Sequence, residues 1–344
     1  MRNLHEPLLE AVKHNCHVAD AQHAADYTLC TYLMKMRELY RWEHGYPLES
    51  ELDSQAVGEW VKQREAYWES LGEQEFRALP VDLDTLDPFD HNAVNDRLLP
   101  DGLVYSSGLG RQAAAHFFLG ELLEQRNYEG FTVLISGREL ARDLVSPPAM
   151  TRDKVIFLRR EALARLLWER VQEWRWNRCD SPLGRALVYY KLDEDLEGGL
   201  EILVDDQMAL TLQHEIGEIK VGEGIQSSWS SLLMAVAGSR AELQLRAVRD
   251  NLADATSTLP FLLRQKRPEL IHLYFALFGP MRRDLSPALY QAYQQWCELS
   301  DWELIARESE KAHEHWHRVM RQAMEIKDEK RATAVTGLIE AHRF

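Results

Sequence analysis

The chain is short of most features that would place it at once. It has four cysteines in 344 residues, Cys16, Cys30, Cys179 and Cys297, with no Cys-x-x-Cys pair among them. Neither a zinc ribbon nor a disulfide framework is suggested, and a reducing cytoplasm is the expected compartment. No run approaches the roughly 18 apolar residues needed to span a bilayer, so no membrane partner is expected. The opening Met1-Arg2-Asn3-Leu4-His5-Glu6-Pro7 lacks the apolar stretch of a secretory signal. Basic charge is in deficit, with 40 Lys and Arg against 55 Asp and Glu and a formal net charge of −15. Neutralising phosphates needs a basic face, so nucleic acid is not an expected partner. The basic pairs Arg159-Arg160 and Arg282-Arg283 read as solvated surface. Gly-x-Ser-x-Gly, P-loop and dinucleotide patterns are missing, as are fixed-period repeats and low-complexity tracts.

What is present fits a globular protein of one large domain or two. The apolar fraction is 45%, which is ordinary, and ten tryptophans supply anchors for a core or for helix interfaces. Residues 7–43 hold no Gly or Pro after Pro7 and read as one long helix, ended by Gly45 and Pro47. A second helix is expected over 52–78, stopping at Pro80. From 81 to 110 the chain is rich in Asp, with Pro88, Pro100 and Gly102, and reads as an acidic loop or linker. Ser106-Ser107-Gly108-Leu109-Gly110 reads as a turn leading into a helix over 111–126. Strands are expected at 131–135, 155–158, 186–190 and 200–204, with a helix at 161–176. A further helix should start near Asp205 or Asp206 and carry the segment His214-Glu215-Ile216-Gly217-Glu218. The rest, 225–344, reads as helical, with a break near Gly238. The fold class is α+β, predominantly α-helical, with a small central mixed sheet preceding the motif helix. The regions are 1–80, 81–110, 111–224 and 225–344.

The segment around His214 carries the most chemistry. His214 and Glu218 lie one turn apart on one helix face, and both can ligate a divalent metal. Glu215 sits beside the first ligand, where a general base would take a proton from metal-bound water. Glu242, 24 residues after Glu218, is the expected third ligand, with Asp250 and Asp254 as a supporting shell. Two carboxylates and one imidazole favour a harder ion, iron or manganese, over zinc. Gly217 is costly inside a helix, by about 1 kcal/mol against Ala, and suits close approach of another backbone or a ligand. The competing reading is a partly exposed amphipathic helix with one buried histidine.

A second polar pattern lies on the first helix. At 100° per residue, Cys16, Asp20, His23, Tyr27 and Cys30 fall within about 40° of a common line. Asp20-x-x-His23 has the spacing of a carboxylate and an imidazole sharing a metal, and Glu310-x-x-His313 repeats it. Two such motifs are parts of a di-iron helical bundle. The plainer reading is a hydrogen-bonded pair on each helix.

The His214–Glu218 segment, the run Arg246-Ala247-Val248-Arg249-Asp250-Asn251-Leu252-Ala253-Asp254 and the run Cys30-Thr31-Tyr32-Leu33-Met34-Lys35-Met36-Arg37-Glu38 together resemble an uncharacterised family of bacterial proteins of unknown function. That resemblance implies a bacterial origin and no mechanism. The motif and its expected neighbours also resemble the core of zincin-like metallohydrolases, in the branch with a glutamate ligand. The leading expectation is thus a metal-dependent enzyme of the hydrolase type, with Zn, Fe or Mn at His214, Glu218 and Glu242 and with Glu215 as base. The alternative is a non-catalytic helical scaffold or interaction module, and a further one is a di-metal helical protein.

Overall fold

The computed structural model describes residues 6–110, 114–145, 147–327 and 330–344. The chain forms two compact units, Met1–Pro148 with Phe157–Trp168, and Ala149–Ile156 with Glu169–Phe344.

The first unit begins with α1 (Glu6–His23), α2 (Leu29–Glu43) and α3 (Ser54–Glu69). A short antiparallel hairpin follows, β1 (Leu79–Val81) and β2 (Asp84–Leu86), and then α4 (His91–Leu98). Next come β3 (Leu103–Leu109), β4 (Ala115–Tyr128) and β5 (Phe131–Arg142), antiparallel neighbours in turn. β6 (Ala149–Arg152) and β7 (Val155–Arg159) complete the strand order β3-β4-β5-β7-β6, with β6 and the start of β7 counted in the second unit. Register shifts between Leu119 and Glu124 put irregularities into the β4–β5 ladder, the local effect of bulged residues.

The core of this unit follows from helical spacing. Leu8, Val12, Cys16 and Ala19 recur three or four residues apart on α1 and cluster with Tyr105, Phe117 and Leu119 of the sheet. Asn15 on the same helix is fully buried and acts as a surrogate strand. Its amide donates to Arg77 O at 2.8 Å and its carbonyl accepts from Arg77 N at 2.7 Å.

The structure corrects several sequence expectations. The predicted helix over 7–43 is two helices. A 3-10 turn at Ala24–Asp26 ends α1, and the Thr28 side chain caps α2 by accepting from Thr31 N. The stripe from Cys16 to Cys30 assumed one continuous axis, and it is broken: Cys30 is exposed. The predicted linker over 81–110 contains β2, α4 and β3, and its aspartates do local work. Asp90 caps α4 by accepting from Ala93 N, and Asp87 accepts from Phe89 N. The predicted helix over 111–126 is strand β4 from Ala115 onward, while residues 111–113 lie outside the described residues. Ser106 and Ser107 belong to strand β3 rather than to a helix-leading turn. Strands therefore run from residue 79 to 159, not from 131 to 204.

The second unit is helical after β6. It contains the end of α5 (Arg160–Asn177), then α6 (Pro182–Tyr190), α7 (Leu196–Gly222), α8 (Gln226–Ala235) and α9 (Arg240–Ala253). A π turn at Asp254–Thr258 joins α9 to α10 (Leu259–Gln265). α11 (Pro268–Ala276), α12 (Pro280–Leu285), α13 (Pro287–Leu299), α14 (Trp302–Glu325) and α15 (Arg331–Ala341) complete it. The predicted strands at 186–190 and 200–204 are helical. Ser181 caps α6, with Pro182 in its first turn, and Asp195 caps α7 by accepting from Gly198 N. Short apolar runs carry no usable period, so only these caps distinguish helix from strand there. The motif helix starts ten residues earlier than Asp206, and no strand pair precedes it. The local topology behind the zincin resemblance is not present.

Among the described residues no helix is long and apolar enough to cross a membrane. All four cysteines are free.

Candidate metal centre

The His214 segment lies in the middle of α7, which packs against α9, the π turn and α11. Gly217 sets the distance between the first two. A Cβ built on it would meet Ala253 O at 2.2 Å and Ala253 C at 2.8 Å, far inside contact distance. Only glycine lets α7 touch the last turn of α9, one residue before Asp254. The approach carries His214 on α7 to the face of α9 that holds Asp250 and Asp254, which are themselves one turn apart.

Among the described residues one group of three could hold a metal ion: His214, Glu218 and Asp250. Their ligand atoms lie within 4.8 Å of one another. Atoms at 2.0–2.2 Å from one ion sit roughly 3–4 Å apart, so a side-chain adjustment of about an ångström closes the set. Asp254 occupies the supporting position. Its Oδ1 is 2.7 Å from His214 Nδ1, while His214 Nε2 faces Glu218 Oε1 at 4.0 Å. A carboxylate on one ring nitrogen orients the other toward an ion and raises its basicity. Asp254 is itself held by Thr258 Oγ1 at 2.8 Å and by the Arg282 guanidinium. Arg282 also reaches Asn251 Oδ1 at 3.0 Å and Tyr274 OH at 3.3 Å. Arg249 lies 3.4 Å from Glu218. Arg282, read as surface from its sequence, is thus part of the site.

The charges follow from these contacts. Burial alone would lower the His214 pKa, but Asp254, helped by Glu215 and Asp250, raises it to about 10. Burial opposes the charged form of Asp254 too, and Arg282 with His214 overcomes it, holding the carboxyl well below the usual carboxylate range. Asp250 is shifted upward, chiefly by burial. Burial and the neighbouring Glu218 push Glu215 up to about 7, although Thr151 donates to its Oε2 at 2.6 Å.

A cavity of about 180 Å³ opens beside His214, Asp250 and Asp254, lined also by Gln207, Thr211 and Tyr274. Gln207 is buried, its Nε2 donates to Thr211 at 3.2 Å, and its Oε1 has no partner among the described residues.

The other candidates lie elsewhere. Glu242 stands in the first turn of α9, where its carboxylate accepts from Gly238 N at 2.9 Å and pairs with Arg246 at 2.8 Å. It precedes Asp250 by eight residues, roughly 12 Å along the axis at 1.5 Å per residue, so Asp250 takes the position expected for Glu242. Asp20 is buried and accepts from Leu144 N at 2.8 Å, while His23 pairs with Asp26 at 3.1 Å. Glu310 and His313 are exposed on α14, and the His313 ring stacks on His317. None of these five joins a metal-ligating group of three among the described residues. Thr151, Gln207, Thr258 and Arg282 carry no local signal in the sequence. Asp250 had one, since Asp250-x-x-x-Asp254 repeats the one-turn spacing of His214-x-x-x-Glu218.

The fold and site define a two-unit α+β protein whose helical second unit carries a half-buried His–carboxylate cluster. The chain belongs to the family of unknown function DUF6866. Residues 7–159 match the family's N-terminal domain and residues 164–342 its C-terminal domain. No curated protein and no solved structure matches it.

Proposed function

We propose that the second unit is a divalent-metal site of one histidine and two carboxylates, serving a metal-dependent enzyme of the hydrolase type. The observation that carries this reading is convergence across two helices. His214 and Glu218 come from α7 and Asp250 from α9, with Asp254 bonded to the far nitrogen of the same imidazole. Helical spacing alone brings residues together within one helix and does not do so between two. An oxygen-rich set suits iron or manganese better than zinc. Three protein ligands leave coordination positions for water, and a bound ion would make that water a nucleophile near neutral pH. Glu215, next to His214 on α7 and close enough to Glu218 and Asp250 to feel their charges, is the candidate general base. The unpartnered Gln207 Oε1 and the small cavity suit a compact polar substrate.

The test is elemental analysis of protein purified without chelator or added metal, then calorimetric titration with Mn²⁺, Fe²⁺ and Zn²⁺. One ion per chain is expected, lost in His214→Ala and Asp250→Asn and kept in Glu242→Gln. Glu215→Gln should keep the ion and lose metal-dependent cleavage of p-nitrophenyl ester or phosphoester probes. One observation favours a second reading: Glu218 is already near Arg249, and Asp254 is bound to Arg282. A chain that takes up no ion would make the cluster a structural ion-pair network in a helical scaffold.

A further inference from the structure

We infer that the first unit binds a small oxyanion, a carboxylate or phosphoryl group on a small molecule, at the guanidinium of Arg142. The site is separate from the metal centre and independent of it. A cavity of about 410 Å³ lies in the first unit between α1, α2 and β5, with Arg142 in its wall. Arg142 retains only 8% of its surface. Its Nε donates to the backbone oxygen of Asp143 at 3.2 Å, and among the described residues neither Nη has a hydrogen-bond partner.

Every carboxylate in the cavity wall is already committed to another cation. Glu139 is fully buried and takes Arg159 on Oε1, at 2.6 and 2.8 Å, and Arg165 on Oε2. Glu161 takes Arg165 at 2.7 Å and the backbone N–H of Glu139. Glu43 takes Arg64 at 2.6 and 2.7 Å and Trp60 at 2.8 Å. The Asp143 carboxylate, next along the strand, accepts from Phe117 N. Among the described residues Arg142 is thus left as a buried cation with no ion pair and two donor groups without a hydrogen-bond partner, in the wall of an open space.

Burying an unpaired charge is costly, and natural structures pair it. Burial, together with Arg165 and Arg159, outweighs the more distant Glu139 and Asp143 carboxylates and lowers the Arg142 pKa to about 10, which still leaves it charged at neutral pH. The Trp42 ring lies 5.7 Å from its Cζ and orients the guanidinium plane without neutralising it. A planar fork with free N–H groups matches the two oxygens of a carboxylate or a phosphoryl group. Lys13, half-exposed in the same wall and 3.4 Å from the exposed Glu10 carboxylate, brings a further cation to the cavity.

Tryptophan fluorescence at constant ionic strength tests this, with chloride as the balancing salt. Inorganic phosphate and acetate are titrated separately into the full-length protein. A saturable change is expected with at least one, and which one responds tells phosphoryl from carboxylate recognition. Arg142→Gln, checked for native circular dichroism, should weaken binding by more than about tenfold, since a buried charge-assisted pair is removed. If that variant does not fold, Lys13→Glu decides, with affinity expected to fall several-fold. Arg126→Gln, on the exposed end of β4, should bind as the wild type does. No saturable response to either anion overturns the inference, and so does undiminished binding in a folded Arg142→Gln or in Lys13→Glu.

Discussion

At the residue scale the protein depends on a few side chains whose worth is set by what touches them. Gly217 is the clearest case, because two effects of opposite sign compete there. In an isolated helix, replacing Gly by Ala stabilises by roughly 0.5–1 kcal/mol. Here the new methyl would lie 2.2 Å from a backbone oxygen that cannot swing away. Overpacking of this kind costs about 1–3 kcal/mol, so Gly217→Ala should destabilise, read as a lower urea midpoint, and should weaken metal uptake. A stabilised variant would mean that α7 and α9 are not in contact at this point. Glu139 gives the matching prediction for pH. Burial works against its charge, but Arg159 and Arg165 overcome it and hold the pKa at about 2 against an ordinary 4.5. A depressed carboxyl stabilises fully above its unfolded pKa and loses that contribution as pH falls through the folded one. The stability difference between wild type and Glu139→Gln should therefore be constant above about pH 5 and shrink between about 4.5 and 2. At neutral pH the variant leaves two buried guanidinium groups short of a carboxylate, a loss of about 3–5 kcal/mol in chemical denaturation.

At the element scale the unusual piece is the π turn at Asp254–Thr258. A π turn amounts to one extra residue in an α-helix, and such turns concentrate at functional sites. Pro260 gives a physical reason for its place. In a regular helix the proline ring would clash with the carbonyl four residues back and leave it without a donor. Widening the turn just before relieves both. The same turn points the Thr258 hydroxyl at Asp254, so the geometry of the His214 partner depends on it. Deleting Thr256, whose side chain bonds to Leu252 O, should restore α-helical phase, place Thr258 three rather than four residues after Asp254 and re-aim its hydroxyl. Helical circular dichroism should persist while metal affinity falls at least about tenfold, the scale of losing a supporting contact to a ligating histidine. Retained affinity would show that the π turn is incidental. The element assignments missed from sequence have related causes. β4 buries both faces along its first six residues, so it shows no alternation, and the short apolar runs at 186–190, ending α6, and 200–204, inside α7, suit strand or helix equally.

At the scale of the whole molecule, an ion that binds the folded chain must raise its stability by linkage. At a free concentration a hundred times its dissociation constant, the gain is about 2.7 kcal/mol. Thermal unfolding should therefore shift upward on adding Mn²⁺ or Fe²⁺ and fall back with chelator. The shift should vanish in His214→Ala and persist in Glu242→Gln. A melting temperature that ignores every divalent ion would argue for the structural network instead. Much of this molecule was fixed locally in the sequence. Capping residues, prolines and period-3.6 patterns set the helices from Ser54 to Glu69 and through most of the C-terminal half. One-turn spacing put His214 beside Glu218 and Asp250 beside Asp254. Gly217 marked a close backbone approach before any partner was visible. Only the tertiary structure decided that the partner was Ala253, that Asp250 rather than Glu242 faced the imidazole, and that Arg142 has no ion pair among the described residues. The physical reason is the range of the interactions. Backbone propensity and helical phase act over a few residues and are written in consecutive letters. Which helix face meets which, and which buried charge stays unpaired, depends on packing between segments far apart in the chain.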